Sequence, residues 1–183
     1  MKSHKFALGD LECASLYDNG QTSDLRGLFP SLSAPEAQNT LPPLNLDEKF
    51  PVGFNCLYIK QDKKHILIDT GTGQGELLNS LATLGLAAND IDIVILTHGD
   101  RDHIGGVLNF PKARFVLCQK MFEAWTKPTK QEGMIEEFAK LFRGSLEDEA
   151  LKARVQPRRA FASEVLPQIK ERLQPTVFEE EFL

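Results

Sequence analysis

The chain has 183 residues, of which 42% are hydrophobic, and its formal net charge is -5 at pH 7. This length and apolar content are enough for one ordinary globular core. The net negative charge, without any cluster of basic residues, argues against electrostatic binding of nucleic acid. No apolar run approaches the ~20 residues that span a bilayer, and no signal-peptide core opens the chain, so we expect a cytoplasmic protein that is not membrane-bound.

The cysteines give a further indication of the compartment. Cys13, Cys56 and Cys118 are odd in number, widely spaced, and form no C-x-x-C pair. Buried free thiols in a reducing compartment are therefore expected rather than disulfides.

The N-terminal part of the chain predicts strands. Lys5–Leu8 and Leu11–Tyr17 are typical of two short strands, and Asp18-Asn19-Gly20 predicts a turn after them. Residues 21–51 have little periodicity and many Pro, Ser and Asn residues, which predicts a long surface loop. Such a loop is often functional when it lies beside a site.

A predicted hairpin and a glycine-rich loop follow. Phe54–Lys60 and His65–Asp69 are typical of paired strands, and the second runs into the sequence I-D-T-G-T-G-Q-G at residues 68–75. Glycines after a strand suggest a phosphate loop, but G-x-G-x-G is the wrong spacing for a dinucleotide site and no Gly-Lys-Ser/Thr follows. The leucine pattern of Glu76–Leu84 then predicts a helix that Gly85 ends.

The most informative stretch is I-D-I-V-I-L-T-H-G-D-R-D-H-I-G-G, residues 91–106. Its apolar, β-branched beginning predicts a strand buried on both faces. Four metal-binding side chains come directly afterwards: His98, Asp100, Asp102 and His103. Alternate side chains of an extended loop share a face, so His98 and Asp100 can chelate one ion. Asp102 and His103 then suit a second ion nearby.

These residue types indicate the chemistry of the site. Two ions roughly 3.5–4 Å apart can hold a hydroxide between them and polarise a carbonyl or phosphoryl oxygen. Mixed imidazole and carboxylate ligands favour Zn, with Fe or Mn as alternatives. A competing interpretation is a solvated loop in which Asp102 caps the next helix. Four ligands at this spacing favour the metal site.

Residues 97–106 resemble the motif T-H-x-[HD]-x-D-H-x-G-G of the metallo-β-lactamase superfamily of hydrolases. The commonest form of that motif has His where this chain has Asp100. A carboxylate there predicts a weaker Lewis acid and a higher pKa of the metal-bound water. The family also has a strand that ends in D-T-G, whose Asp contacts the metal-binding residues without binding the metals itself. Asp69 is the matching residue, and we expect it to act there together with Thr97.

The resemblance implies an α/β fold. The strand–helix–strand order predicts a parallel crossover with the metal loop at the carboxyl end of the second strand. The family builds an αββα sandwich from two similar halves, and we expect residues 1–183 to form one incomplete domain. Residues 1–125 would be the β/α core of the first half, and residues 126–183 a helical, lid-like segment without a closing strand. Helices are predicted over residues 132–143, from Ser145 to about Ala153, and over Ser163–Leu173.

The downstream half of the family's site is not found in this sequence. The family completes its two metal sites with later His and Asp residues, whereas this chain has four histidines and none after His103. We therefore expect the N-terminal part of a longer enzyme or a truncated gene product. The uncovered apolar side of a half-sandwich predicts self-association.

Three functions follow from these observations. The first is a metal-dependent hydrolase in which a metal-bound hydroxide, oriented by Asp102, attacks an ester, lactone, thioester or amide bond of a small molecule. By analogy, lactonase-like or esterase-like members are the most similar. The second is a non-catalytic relic or interaction module of the same fold. The third is a glycosyltransferase in which Asp100-Arg101-Asp102 serves as a D-x-D site for a divalent ion and a nucleotide sugar.

Overall fold

The computed structural model describes residues 3–24, 49–126 and 149–176. In these ranges, seven strands form one sheet in the order β1-β2-β3-β4-β5-β6-β7. The strands are β1 (Ser3–Leu8), β2 (Leu11–Ser23), β3 (Phe50–Gln61), β4 (Lys64–Ile68), β5 (Ile93–Leu96), β6 (Arg114–Cys118) and β7 (Leu173–Thr176). Strands β1 to β4 pair antiparallel, and β4 to β7 pair parallel.

Helices connect the parallel strands. They are α1 (Leu77–Ala82), α2 (Arg101–Ile104), α3 (Gln119–Thr126) and α4 (Glu149–Val165), with 3-10 turns at Ala88–Asp90, Val107–Asn109 and Leu166–Arg172. The predicted α/β class, with a mixed sheet and a parallel crossover from β4 through α1 to β5, is confirmed. No helix in the described ranges is long and apolar enough to cross a membrane.

The helices cover one face of the sheet. Leu67, Val94 and Phe115, from the three adjacent strands β4, β5 and β6, are almost completely buried beneath them. The alternate residues on the opposite face are also apolar but only half-buried: Ile66, Ile68, Ile93, Ile95 and Val116. The prediction that the central strand is buried on both faces is therefore wrong. We call this half-buried set the open apolar face.

The turn predicted at Asp18-Asn19-Gly20 is also wrong. Strand β2 continues to Ser23, and its pairing with β3 shifts register between Tyr17 and Asn19. This bulge places the Asp18 side chain inside the protein, where the residue is 1% exposed. The two ends of the loop predicted over residues 21–51 are likewise strand, and its middle lies outside the described residues.

The C-terminal predictions need correction as well. Residues 132–143 and Ser145 lie outside the described ranges, and α4 continues to Val165 instead of ending near Ala153. The predicted helix over Ser163–Leu173 becomes a 3-10 turn followed by β7, so the predicted lack of a closing strand is wrong. Leu166 and Ile169 anchor this turn in the core.

Arg172 explains how the last strand reaches its place. Its Nη1 atom donates hydrogen bonds to the carbonyl oxygens of Phe110 (2.7 Å) and Ala113 (3.1 Å), just before β6. These hydrogen bonds place the start of β7 beside the edge of β6, where Leu173 pairs with Phe115.

Candidate metal centre

The four predicted ligands lie where β4 and β5 end at the same edge of the sheet. Ile68 pairs with Ile95 in the parallel ladder, and the Asp69 amide donates to the Ile95 carbonyl at 2.9 Å. The Thr70 amide and hydroxyl both donate to the His103 carbonyl, at 2.7 and 2.9 Å. Backbone hydrogen bonds therefore connect the D-T-G loop directly to the metal loop.

Glycines allow these two loops to approach each other. A Cβ on Gly105 would lie 2.2 Å from the Thr72 carbonyl oxygen, and a Cβ on Gly73 would lie 2.2 Å from the Gly105 carbonyl oxygen. Real Cβ atoms do not come this close, so both positions require glycine. The helical segment that follows the metal loop is interrupted at the same place, between α2 and the 3-10 turn at Val107–Asn109.

Sequence reasoning missed Asp18, which holds the glycine-rich loop. Its carboxylate accepts hydrogen bonds from the Thr72 amide (2.8 Å), the Thr72 hydroxyl (2.9 Å) and the Leu77 amide (3.3 Å). A Cβ on Gly71 or on Gly75 would lie 2.4 Å from its side-chain atoms. The glycines of this loop thus make room for a carboxylate of the same chain.

Asp69 connects the D-T-G strand to two of the predicted ligands. It is buried, with a left-handed φ of 63°, and its carboxylate accepts hydrogen bonds from the Thr97 amide and hydroxyl, each at 2.8 Å. His103 Nδ1 lies 2.7 Å from Asp69 Oδ2, and His98 Nδ1 lies 2.9 Å from the Thr97 hydroxyl. Because a hydroxyl that donates to Asp69 can accept from His98, each imidazole carries its lone pair on Nε2 when it is neutral, as it must be to bind a metal.

Each Nε2 atom faces a carboxylate from the same loop. His98 Nε2 lies 3.5 Å from Asp100 Oδ2, and His103 Nε2 lies 3.5 Å from Asp102 Oδ2. The two imidazole rings are themselves close, with centroids 3.8 Å apart. The structure therefore brings the four predicted ligands together as two His/Asp pairs, in the grouping predicted from the sequence.

The charges of the second pair depend on each other. Burial alone would lower the pKa of His103, but the contacts with Asp102 and Asp69 outweigh it and raise the pKa to about 9. The contact with His103 in turn lowers the pKa of Asp102, against the opposing effect of its burial. Without a metal, this pair is ionised at neutral pH.

The donor set suits divalent ions. Two ligand atoms on one tetrahedral Zn, each ~2.1 Å from it, lie ~3.4 Å apart, close to the separation in both pairs. Asp100 Oδ1 is buried without a hydrogen-bond partner, so a lone pair is available. No three His, Cys, Asp or Glu side chains in the described ranges converge on one point. The residues thus fit two ions and supply two ligands to each.

Two other features of the metal loop were not predicted. Asp100, not Asp102, is the N-cap residue of α2, and it makes no capping hydrogen bond, so the capping interpretation of Asp102 is wrong. Arg158 of α4 reaches the loop, with Nη1 3.6 Å from Asp100 Oδ2. No local signal in the sequence relates these two residues, because only tertiary packing brings them together.

Comparison with known proteins agrees with this geometry. The pattern of the Metallo-beta-lactamase superfamily matches residues 51–161. Metallo-beta-lactamase domain-containing protein 1 of Mus musculus is 46% identical over 54 residues, which are 28% of this chain and 21% of that protein. Exodeoxyribonuclease WalJ of Streptococcus pneumoniae is 34% identical over 53 residues, 29% of this chain and 20% of the nuclease.

Solved structures extend the likeness over almost the whole chain. AidC, a dizinc quorum-quenching lactonase, superposes with a TM-score of 0.77 at 28% identity, over 97% of this chain and 62% of its own. The hydrolase AbOPH gives a TM-score of 0.75 at 18% identity, over 98% and 62%, a likeness of fold. The chain thus spans about three fifths of these two structures. Since the family pattern matches more than half of the chain and includes the metal loop, the chain belongs to the metallo-β-lactamase superfamily.

Proposed function

We propose that this chain carries the metal-binding loop of a metal-dependent hydrolase that cleaves an ester or lactone bond in a small molecule, with thioesters and amides as further candidates. The observation that carries the proposal is the pair of His Nε2/carboxylate contacts, both at 3.5 Å, at the carboxyl ends of β4 and β5. Family membership supports hydrolysis as the reaction class.

Each side chain then has a definite role. His98 and Asp100 would hold one ion, and Asp102 and His103 the other, with Zn favoured over Fe or Mn. When bound, such ions lower the pKa of water and polarise a carbonyl oxygen. Asp102 is ionised at neutral pH, because the contact with His103 lowers its pKa. Its carboxylate can therefore accept a hydrogen bond from the attacking water and orient it toward the carbonyl carbon.

Asp69 and Thr97 would act on the ligands and not on the substrate. Their hydrogen bonds fix the Nδ1 atoms of both imidazoles and leave Nε2 for the metals. Residues in this position commonly govern metal affinity, because they fix both the tautomer and the ring orientation of the ligand.

The likeness to a dizinc lactonase favours the lactone. That structure aligns with 97% of this chain at 28% identity, whereas the identity with the nuclease WalJ is confined to 29% of the chain. The acidic net charge also disfavours a nucleic acid substrate. The D-x-D glycosyltransferase interpretation is less favoured, since Asp100 and Asp102 lie within the matched family pattern.

Turnover by the purified chain tests the proposal. The protein is supplied with Zn²⁺, Mn²⁺ or Fe²⁺ and assayed with an N-acyl homoserine lactone, an aryl ester, a thioester and an aryl amide. Asp102→Asn should reduce kcat/KM at least ~100-fold, whereas Asp10→Asn, the same change in the exposed β1–β2 turn, should have no effect. A folded, metal-loaded chain without turnover of any of the four bond types would favour the non-catalytic relic instead.

A further inference from the structure

The site contains three carboxylates, and each of them contacts an imidazole of the metal loop. Asp69 contacts Thr97 and His103, and Asp102 contacts His103. Asp100 differs from both in its unpartnered oxygen and in its contact with an arginine from a distant helix. One of its oxygens, Oδ1, is buried without a hydrogen-bond partner, and the other lies 3.5 Å from His98 Nε2 and 3.6 Å from Arg158 Nη1.

Packing directs Arg158 toward the metal loop. Helix α4, which carries it, is attached to α3 by a hydrogen bond from the Ser163 hydroxyl to the Trp125 carbonyl, at 2.9 Å. Trp125 lies directly against Gly99 of the loop, where an added Cβ would come within 2.4 Å of the indole ring. On the same helix, the Phe161 ring stacks beneath the Arg101 guanidinium, at 5.3 Å. The approach of Arg158 is thus a consequence of how α4 is docked.

We propose that Arg158 is a positioning residue that offsets the negative charge of Asp100, and so makes a carboxylate tolerable where the family motif most often has His. A neutral imidazole at this position would need no counter-charge. A carboxylate that is only 18% exposed does need one, because burial penalises an unpaired charge. The guanidinium also lowers the affinity of the loop for metal, since it repels a cation bound to Asp100. This second effect rests on the proposed function; the first does not.

A double-mutant cycle on the metal-free protein tests the charge pairing. We expect Arg158→Gln to lower the melting temperature by about 3 °C, as loss of a partly exposed ion pair does in a chain of this size. Arg158→Lys, which keeps the charge, should change it by less than ~1 °C. In an Asp100→His background, and in an isosteric Asp100→Asn background, the same Arg158→Gln change should destabilise the protein less than it does beside Asp100.

Two outcomes of this cycle would overturn the assignment. One is an equal loss of stability from Arg158→Gln in the Asp100, His and Asn backgrounds, which would mean that the arginine stabilises the protein independently of residue 100. The other is no loss in any of them. Arg114→Gln removes one positive charge at the exposed start of β6 and serves as the matched charge control, with no dependence on residue 100 expected.

Calorimetric titration with Zn²⁺ or Mn²⁺ gives a second measurement that does not depend on turnover. The dissociation constant should fall about fivefold in Arg158→Gln, and should not change in Arg114→Gln. Weaker metal binding in Arg158→Gln would overturn the repulsion argument. If no variant bound metal, the proposed function would fail, and the melting-temperature cycle would still decide the pairing of Arg158 with Asp100.

Discussion

Replacement of Asp69 by Asn separates the support of the metal loop from the ligands themselves. The carboxylate of Asp69 receives the Thr97 amide, the Thr97 hydroxyl and His103 Nδ1, all within 2.8 Å. An amide side chain offers one acceptor oxygen in place of two, so at least one of these three donors loses its partner. An unpaired, part-buried donor costs ~1–3 kcal/mol, which is the expected drop in the free energy of unfolding of the metal-free protein.

Metal affinity should fall together with stability. Without the contact to Asp69, His103 loses the hydrogen bond that fixes its tautomer, and comparable losses in other metal sites reduce affinity 10–100-fold. Urea unfolding gives the first quantity, and metal titration gives the second. The backbone should not contribute, because Asn tolerates the left-handed φ of 63° at this residue as well as Asp does.

A matched control exists in the same sheet. Asp62, in the turn between β3 and β4, also has a left-handed φ, of 52°, but is exposed. Asp62→Asn makes the same chemical change without a loop to support, and it should alter neither stability nor metal affinity. An Asp69→Asn protein with the unfolding free energy and the metal affinity of the unchanged chain would refute the reasoning.

Three further predictions concern packing, thiol chemistry and assembly. Gly99→Ala places a Cβ 2.4 Å from the buried Trp125 ring and should lower the free energy of unfolding in urea by ~1–3 kcal/mol. The fluorescence of this single tryptophan should shift as well. Gly53→Ala, whose Cβ would make an ordinary 3.4 Å contact, should change neither the unfolding free energy nor the fluorescence. Burial, aided by nearby carboxylates, raises the pKa of Cys56 to about 12. At pH 8 its protonated thiol should therefore react with a disulfide reagent far more slowly than the half-buried thiol of Cys118. Equal reaction rates of the two thiols would contradict this prediction. The open apolar face should cause self-association in light scattering, and a stable monomer at high concentration would argue against it.

The sequence was most informative where the necessary residues are adjacent. The apolar run of β5, the four ligands directly after it and the two following glycines form one continuous stretch, so their shared location follows from chain connectivity. The hairpin of β3 and β4 and helix α1 are equally local. Asp69 became predictable only through the family resemblance, because a lone Asp after a strand has no distinctive local signal.

The errors arose where tertiary contacts decide the structure. Asp18-Asn19-Gly20 is a favourable turn sequence, but pairing with β3 keeps this segment in a strand, and the buried Asp18 binds the loop around Thr72, far along the chain. The segment after Val165 has helical periodicity, but the Arg172 hydrogen bonds hold its end beside β6, where it forms strand β7. The Arg158–Asp100 contact likewise depends on the docking of α4, which no local pattern encodes.

The metal content of the purified chain is the most direct test of the central claim that the loop after β5 is a metal centre. Plasma mass spectrometry should find about two equivalents of divalent metal, mainly Zn. His103→Ala should lose much of it, because one pair loses its imidazole. His4→Ala, an exposed histidine in β1, should retain it. Substoichiometric metal that is the same in all three proteins would contradict the account.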